Sequence, residues 1–299
     1  MHVDGGIVLA GAAIGCLVGL TGSGGGALVT PALVFVFGVH TPTAVASDLV
    51  AALAIRPVGA AVHLRRWPVD LRLGGRLAAG SVPGALAGTA LAGALGAGAA
   101  ATRALDVALG VAMVGGAAAM ALRGRPTWAR LVGGRAGSDP PGLREAPGTG
   151  ASWPVAITLG AACGLLVGLT SVGSGSLMIV VLLALDPGID AHRLVSADLV
   201  QAVPLTGAAA VGALIFGHVD APIALSLALG AVPAVAAGAL LSARVPERLL
   251  VPAVAVVVLG SGLRCLGLGP ALIGVVCLCG VVAVASPAVA VVRLRSEVT

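Results

Sequence analysis

The chain has 299 residues, of which 58% are apolar and 10% charged, with a mean hydropathy of +1.09. A soluble domain carries about 25% charged residues, so a water-soluble globular protein is excluded and the chain reads as an integral membrane protein. All 17 basic residues are arginine, and the formal net charge of +5 is no nucleic-acid signal, because the arginines fall between apolar runs with no aromatic residues interleaved.

The N-terminus, Met1-His2-Val3-Asp4, lacks the positive region of a signal peptide, so the first apolar run is expected to be retained. Apolar runs then fall at about 6–20, 25–38, 44–64, 77–96, 103–122, 154–169, 174–186, 194–216, 222–242, 249–266 and 270–292. Runs of about 20 residues are long enough to cross a bilayer as helices. The pairs 6–20/25–38 and 154–169/174–186 are shorter, since 15 helical residues rise only about 22 Å. Each pair is expected to form a hairpin of half-helices.

Both hairpins carry the same glycine-rich interruption. The first reads Gly19-Leu20-Thr21-Gly22-Ser23-Gly24-Gly25-Gly26, the second Gly168-Leu169-Thr170-Ser171-Val172-Gly173-Ser174-Gly175-Ser176. Glycine and serine inside an apolar segment mark a place where the backbone breaks, turns or approaches a ligand. Paired interruptions at matching positions of two halves are the sequence mark of a transporter binding site.

Arginine placement sets the orientation. With the loop at 65–76 placed inside, Arg103 and Arg264 alone fall outside and Arg56 lies within a span; every other arginine is cytoplasmic, as the positive-inside rule requires. Trp67, Trp128 and Trp153 fall beside the same loops as interfacial anchors. A shift of 150 carries Val45, Asp48, Leu49 and Val50 onto Val195, Asp198, Leu199 and Val200, and Gly80, Val82, Pro83 and Gly88 onto Gly230, Val232, Pro233 and Gly238. The loop at 65–76 is rich in arginine while its counterpart at 215–221 has none. The loop at 94–98 has none while its counterpart carries Arg244 and Arg248. Homologous loops of opposite charge bias imply halves of opposite orientation.

The expected fold is an all-α polytopic membrane protein: two inverted repeats, each a broken-helix hairpin plus three spanning helices, with one extra C-terminal helix. The repeats occupy 1–122 and 153–268. A polar, Pro/Gly/Arg-rich cytoplasmic linker fills 123–152, and 269–299 holds the extra helix and tail. The small residues Gly84/Gly88 and Ala234/Gly238 are expected to serve close helix packing.

A helix that restarts after a break points unpaired N–H groups and about half a positive charge at whatever lies before it. Thr21, Gly22, Ser23, Gly24, Gly25 and Gly26, with Thr170, Ser171, Gly173, Ser174, Gly175 and Ser176, are therefore the expected lining of an anion site. Arg56, within a span and followed by Pro57, is either a substrate contact or the partner of a carboxylate on another helix. Asp48 and Asp198, near the starts of long spans, read either as coupling or gating carboxylates or as helix caps. Gln201 and Pro204 are the expected cavity-lining and kink residues. Cys16, Cys163, Cys265, Cys277 and Cys279 lie in apolar surroundings and read as small hydrophobes. No paired base and nucleophile and no His/carboxylate metal set occurs at membrane depth, so neither catalytic residues nor a metal or cofactor is expected.

Through the two glycine motifs, Pro31, Ser47-Asp48-Leu49, Ala197-Asp198-Leu199-Val200-Gln201-Ala202-Val203-Pro204-Leu205 and Leu241-Ser242-Ala243-Arg244-Val245-Pro246-Glu247-Arg248, the chain resembles the sulfite exporter family (TauE/SafE-like, or toluene sulfonate uptake permease family) over roughly 5–268. The resemblance implies a multi-pass carrier in the cell (inner) membrane for small sulfur-containing or organic anions such as sulfite, sulfoacetate or sulfonates. Ser47 and Ala197 stand where family members often have Thr, and Arg56 where Lys is common. Outward movement suits an anion, since a cell-negative interior drives efflux by about 2.3 kcal/mol per charge per 100 mV. Uptake would need a coupled proton or cation, with Asp48 or Asp198 the candidates. A passive anion channel and a non-transporting subunit of a membrane complex are the alternatives.

Overall fold

The computed structural model describes residues 4–21, 26–64, 71–96, 98–123, 153–172, 191–241, 247–269 and 271–276. Among them the regular structure is helical throughout: α1 (Gly5–Thr21), α2 (Gly26–Phe35), α3 (Thr41–Leu64), α4 (Leu71–Leu95), α5 (Ala99–Arg123), α6 (Trp153–Thr170), α7 (Ala191–Phe216), α8 (Ala221–Leu241) and α9 (Glu247–Cys265). Helix is the form these apolar runs must take, because hydrocarbon offers no partner for backbone N–H and C=O groups. Five of the described helices are long and apolar enough to cross a membrane, namely α3, α4, α6, α7 and α8. The linker, the second half-helix at 174–186, most of the C-terminal run at 270–292, and Trp67, Trp128, Cys277 and Cys279 lie outside the described residues.

Two expectations are corrected. The run at 154–169 was expected to be too short to span, yet α6 holds 18 residues and rises about 27 Å. The helix expected at 77–96 begins at Leu71, which puts Arg72 and Arg76 on its opening turns rather than in a loop. Arg76 lies over the Trp153 ring, 5.1 Å from its centroid, and ties the start of α4 to the start of α6.

Helix ends are closed by local chemistry. Asp4 accepts the Gly6 N–H at 2.8 Å and Asp220 the Ile223 N–H at 3.2 Å, so these two carboxylates cap α1 and α8. Beyond α9, Gly267 adopts a positive φ of 85°, and Leu268 and Gly267 donate back to the Leu263 and Arg264 carbonyls. That is a Schellman closure, which requires the left-handed backbone that glycine adopts without cost.

Two helix pairs meet backbone to backbone. α1 lies along α8, with Gly11 against Leu227 and Gly15 against Ala231; a Cβ on either glycine would stand 2.9 or 2.7 Å from the facing carbonyl oxygen. α4 lies along α6 in the same way, Gly80, Gly84 and Gly88 facing Ile157, Ala161 and Leu165. Packing is thus the role of Gly84, Gly88 and Gly238. Small residues let helices approach this closely where no hydrophobic force drives them together.

These contacts also give directions. Positions ascend together in α1/α8 and in α4/α6. They do so in α4/α7 (Gly74 by Val200, Gly93 by Phe216) and in α3/α8 (Ser47 by Asp220, Gly59 by Val235). The start of α3 meets the end of α7, Ala46 lying against Gly217. So α1, α3 and α8 run one way, and α4, α6 and α7 the other. Buried Leu49, Ala85, Val167 and Leu205 fill the space between α3, α4, α6 and α7. On the outside, Leu229 and Leu240 of α8 are 53% and 59% exposed, a face that suits lipid.

Candidate functional site

The site begins where α6 stops. Thr170 is its last residue, and its hydroxyl turns back to donate to the Leu166 carbonyl at 2.7 Å while accepting the Val172 N–H at 3.2 Å. Ser171 follows with φ 59°, and its N–H donates to the Val167 carbonyl at 2.7 Å. This is the αL closure of a helix C-terminus, a place usually taken by glycine. Among the described residues Ser171 alone adopts a positive φ without being glycine. A side chain costs about 1 kcal/mol there. In the first motif the matching residue is Gly22.

The serine hydroxyl offsets that cost. Ser171 Oγ donates to Asp48 Oδ2 at 2.7 Å, and Thr30 Oγ1 of α2 donates to the same oxygen at 2.8 Å. Asp48 is 1% exposed, and both hydroxyl residues are fully buried. Hydrogen bonds to a charged acceptor contribute about 2 kcal/mol each. A carboxylate on α3 thereby joins the half-helix after the first glycine motif to the break in the second. Ala27 and Val172 pack in one buried cluster beside it, so the described ends of the two motifs converge.

Arg56 lies further along α3, and its guanidinium interacts electrostatically with Asp198 of α7 foremost and then with Asp48. One arginine is therefore shared between two buried carboxylates from different halves. Gln201, one turn beyond Asp198, is 0% exposed, and neither Oε1 nor Nε2 has a hydrogen-bond partner among the described residues. A crevice between the same helices is lined by Pro42, Val45 and Leu49 of α3, Thr89 of α4, Leu169 of α6 and Ala213 of α7.

Of the expected site residues, Asp48, Ser171, Arg56, Asp198 and Gln201 are gathered within the helix bundle, and Thr170 shapes the break beside them. Thr21 closes α1 and Gly26 opens α2. Gly22, Ser23, Gly24, Gly25, Gly173, Ser174, Gly175 and Ser176 lie outside the described residues. Asp48 and Asp198 are not helix caps: α3 starts at Thr41 and α7 at Ala191, well before either carboxylate. Thr30 was missed, although it is the one polar side chain in the α2 sequence GALVTPALVF. A lone hydroxyl in so short an apolar helix is a signal of inward purpose. Asp106 was missed too; it accepts the Thr41 hydroxyl and ties α5 to the start of α3.

Residues 7–265 match the family model described as Sulfite exporter TauE/SafE. The chain belongs to this family. It is similar to a "Probable membrane transporter protein YjnA" of Bacillus subtilis (strain 168), 33% identical over 258 residues, which are 86% of this chain and 98% of that relative. No solved structure matches the chain. The TauE/SafE match takes in both halves and every residue of the buried polar cluster. The protein is a multi-pass membrane transporter of this family.

Proposed function

We propose that this TauE/SafE transporter is an alternating-access carrier that moves a small oxyanion, sulfite or a sulfonate, out of the cell. The observation that carries the reading is the sharing of the Asp48 carboxylate between Thr30 of one half and Ser171 of the other, with Arg56 and Asp198 close by. The Arg56 guanidinium and the N-terminus of α2 are donors suited to an anion, while the hydroxyls of Thr30 and Ser171 are taken up by Asp48 and hold that carboxylate beside them. The glycine-motif residues Thr21 to Gly26 and Thr170 to Ser176 line this site in the reading, with Arg56 the charged contact and Asp48, Asp198 and Gln201 the gating group.

The helix directions support two inverted repeats, 1–122 and 153–268, joined by the linker 123–152 and followed by the extra segment 269–299. α1, α3 and α4 run opposite to their counterparts α6, α7 and α8. Halves so related can exchange conformations and open one site to either side in turn. A proton on Asp48 or Asp198 is the coupling ion the reading allows. The test is flux of labelled sulfite in proteoliposomes. A carrier saturates and is accelerated by unlabelled sulfite on the opposite side; flux that rises linearly with concentration and shows no such counterflow makes the protein a channel.

A further inference from the structure

We infer that Gln201 selects the cargo, and that the cargo is a monoanion bearing a hydrogen-bond donor of its own, such as hydrogensulfite or a hydroxyl-bearing sulfonate. The inference rests on the carrier reading and deepens it by naming the substrate class.

The starting point is an amide in an expensive position. Gln201 is 0% exposed in α7, and its Oε1 and Nε2 are both without a hydrogen-bond partner among the described residues. A primary amide offers two donors and an acceptor. Leaving both ends unmatched inside a protein is destabilising, and buried polar groups in native proteins are nearly always matched. Nothing in helix packing asks for an amide here, since the matching residue of the other half, 150 positions earlier, is Ala51, which is buried without difficulty. The amide therefore awaits a guest.

Its neighbours define that guest. Asp198 stands three residues before Gln201 and Leu205 four residues after, so the three form one stripe along α7. Leu205 packs in the cluster that contains Leu49 of α3 and Val167 of α6, which aims the stripe at the junction of the halves. Arg56 acts on Asp198 and on Asp48, so one formal positive charge faces two formal negative ones. That surplus of negative charge repels a dianion about twice as strongly as a monoanion, so a monoanion held against Arg56 is the less costly guest.

A guest with acceptors alone would satisfy Nε2 and set its own negative oxygens against Gln201 Oε1. A guest that also carries an O–H or N–H satisfies both ends of the amide. Sites built to bond a substrate hydroxyl reject the analogue that lacks it, because their own polar groups are then left unmatched. Gln201 reads the donor while Arg56 reads the charge.

The experiment compares two monoanions of one head group, ethanesulfonate and 2-hydroxyethanesulfonate, as competitors of labelled sulfite flux in proteoliposomes of the full chain. Wild type is expected to prefer the hydroxyl-bearing competitor by about tenfold to a hundredfold, the range of one hydrogen bond to a buried polar group. Gln201→Leu is expected to abolish that preference while still responding to ethanesulfonate. A second measurement guards against a merely structural role. Without ligand, Gln201→Leu should melt at or above the wild-type temperature, since it removes an unmatched amide, and 2-hydroxyethanesulfonate should stabilise wild type more than the variant. Equal preference in wild type and variant, or a lower melting temperature for Gln201→Leu, overturns the inference and assigns the amide to water or to a structural bond. Sulfite flux with neither sulfonate competing contradicts the donor-bearing sulfonate class. No sulfite flux in wild type at all contradicts the carrier reading itself, a separate outcome.

Discussion

Ser171 shows how a single residue can serve structure and site together. Its backbone closes α6 in a conformation glycine would adopt at no cost, while its hydroxyl reaches Asp48. The two contributions can be separated by substitution. Ser171→Ala keeps the left-handed backbone and loses the hydrogen bond, so it should cost about 2 kcal/mol. Ser171→Gly loses the same bond but recovers about 1 kcal/mol of backbone strain. Thermal melting of the purified protein should therefore rank wild type above Ser171→Gly and Ser171→Gly above Ser171→Ala; an alanine variant as stable as wild type would show that the bond to Asp48 contributes nothing. The same logic applies to Thr30. Thr30→Val keeps the shape of α2 and should likewise lower the melting temperature, by an amount that falls when Asp48 is already replaced by Asn, because the two groups share one bond and their effects are not additive.

At the scale of elements, the helix pairs α1/α8 and α4/α6 are the rigid parts. A Cβ at Gly164 would press on the Ser81 backbone carbonyl, so Gly164→Val forces α4 and α6 apart and should destabilise by about 1–3 kcal/mol or more. Gly75, also in α4, has nothing within 4 Å of such a Cβ. Gly75→Ala should raise stability by up to about 1 kcal/mol through helix propensity alone. Melting temperatures that move together for both variants would contradict the packing account. Much of this was readable in advance. The glycine motifs marked where α1 and α6 end, because glycine and serine in an apolar run have few uses apart from breaking or packing it. The length of α6 was less legible, since Trp153 was read as an interfacial anchor and Thr170 as part of the glycine-rich break, yet the helix includes both. The role of Asp48 could not be read from its neighbours. Its two donors come from 18 and 123 residues away, and local spacing offered a helix cap as an equally plain use.

For the whole molecule, the pattern that matters is which polar groups belong to only one half. The repeat gives each half a buried aspartate, Asp48 and Asp198. Around them the halves differ: Arg56 is matched by Thr206, Ser171 by Gly22, Gln201 by Ala51. Asp48 is held by hydroxyls, whereas Asp198 is the carboxylate that acts most strongly on Arg56. A symmetric frame with asymmetric contents suits a carrier whose two aspartates do different work, one fastening the halves and one answering to charge. The central claim is that Arg56 and this shared centre meet the anion. The measurement that tests it most directly is counterflow of labelled sulfite in proteoliposomes holding equal amounts of folded wild type or Arg56→Gln. Losing a charge-assisted contact of about 2–3 kcal/mol should slow exchange by about a hundredfold while the variant remains folded. Exchange at the wild-type rate in Arg56→Gln would place the anion elsewhere and contradict the account.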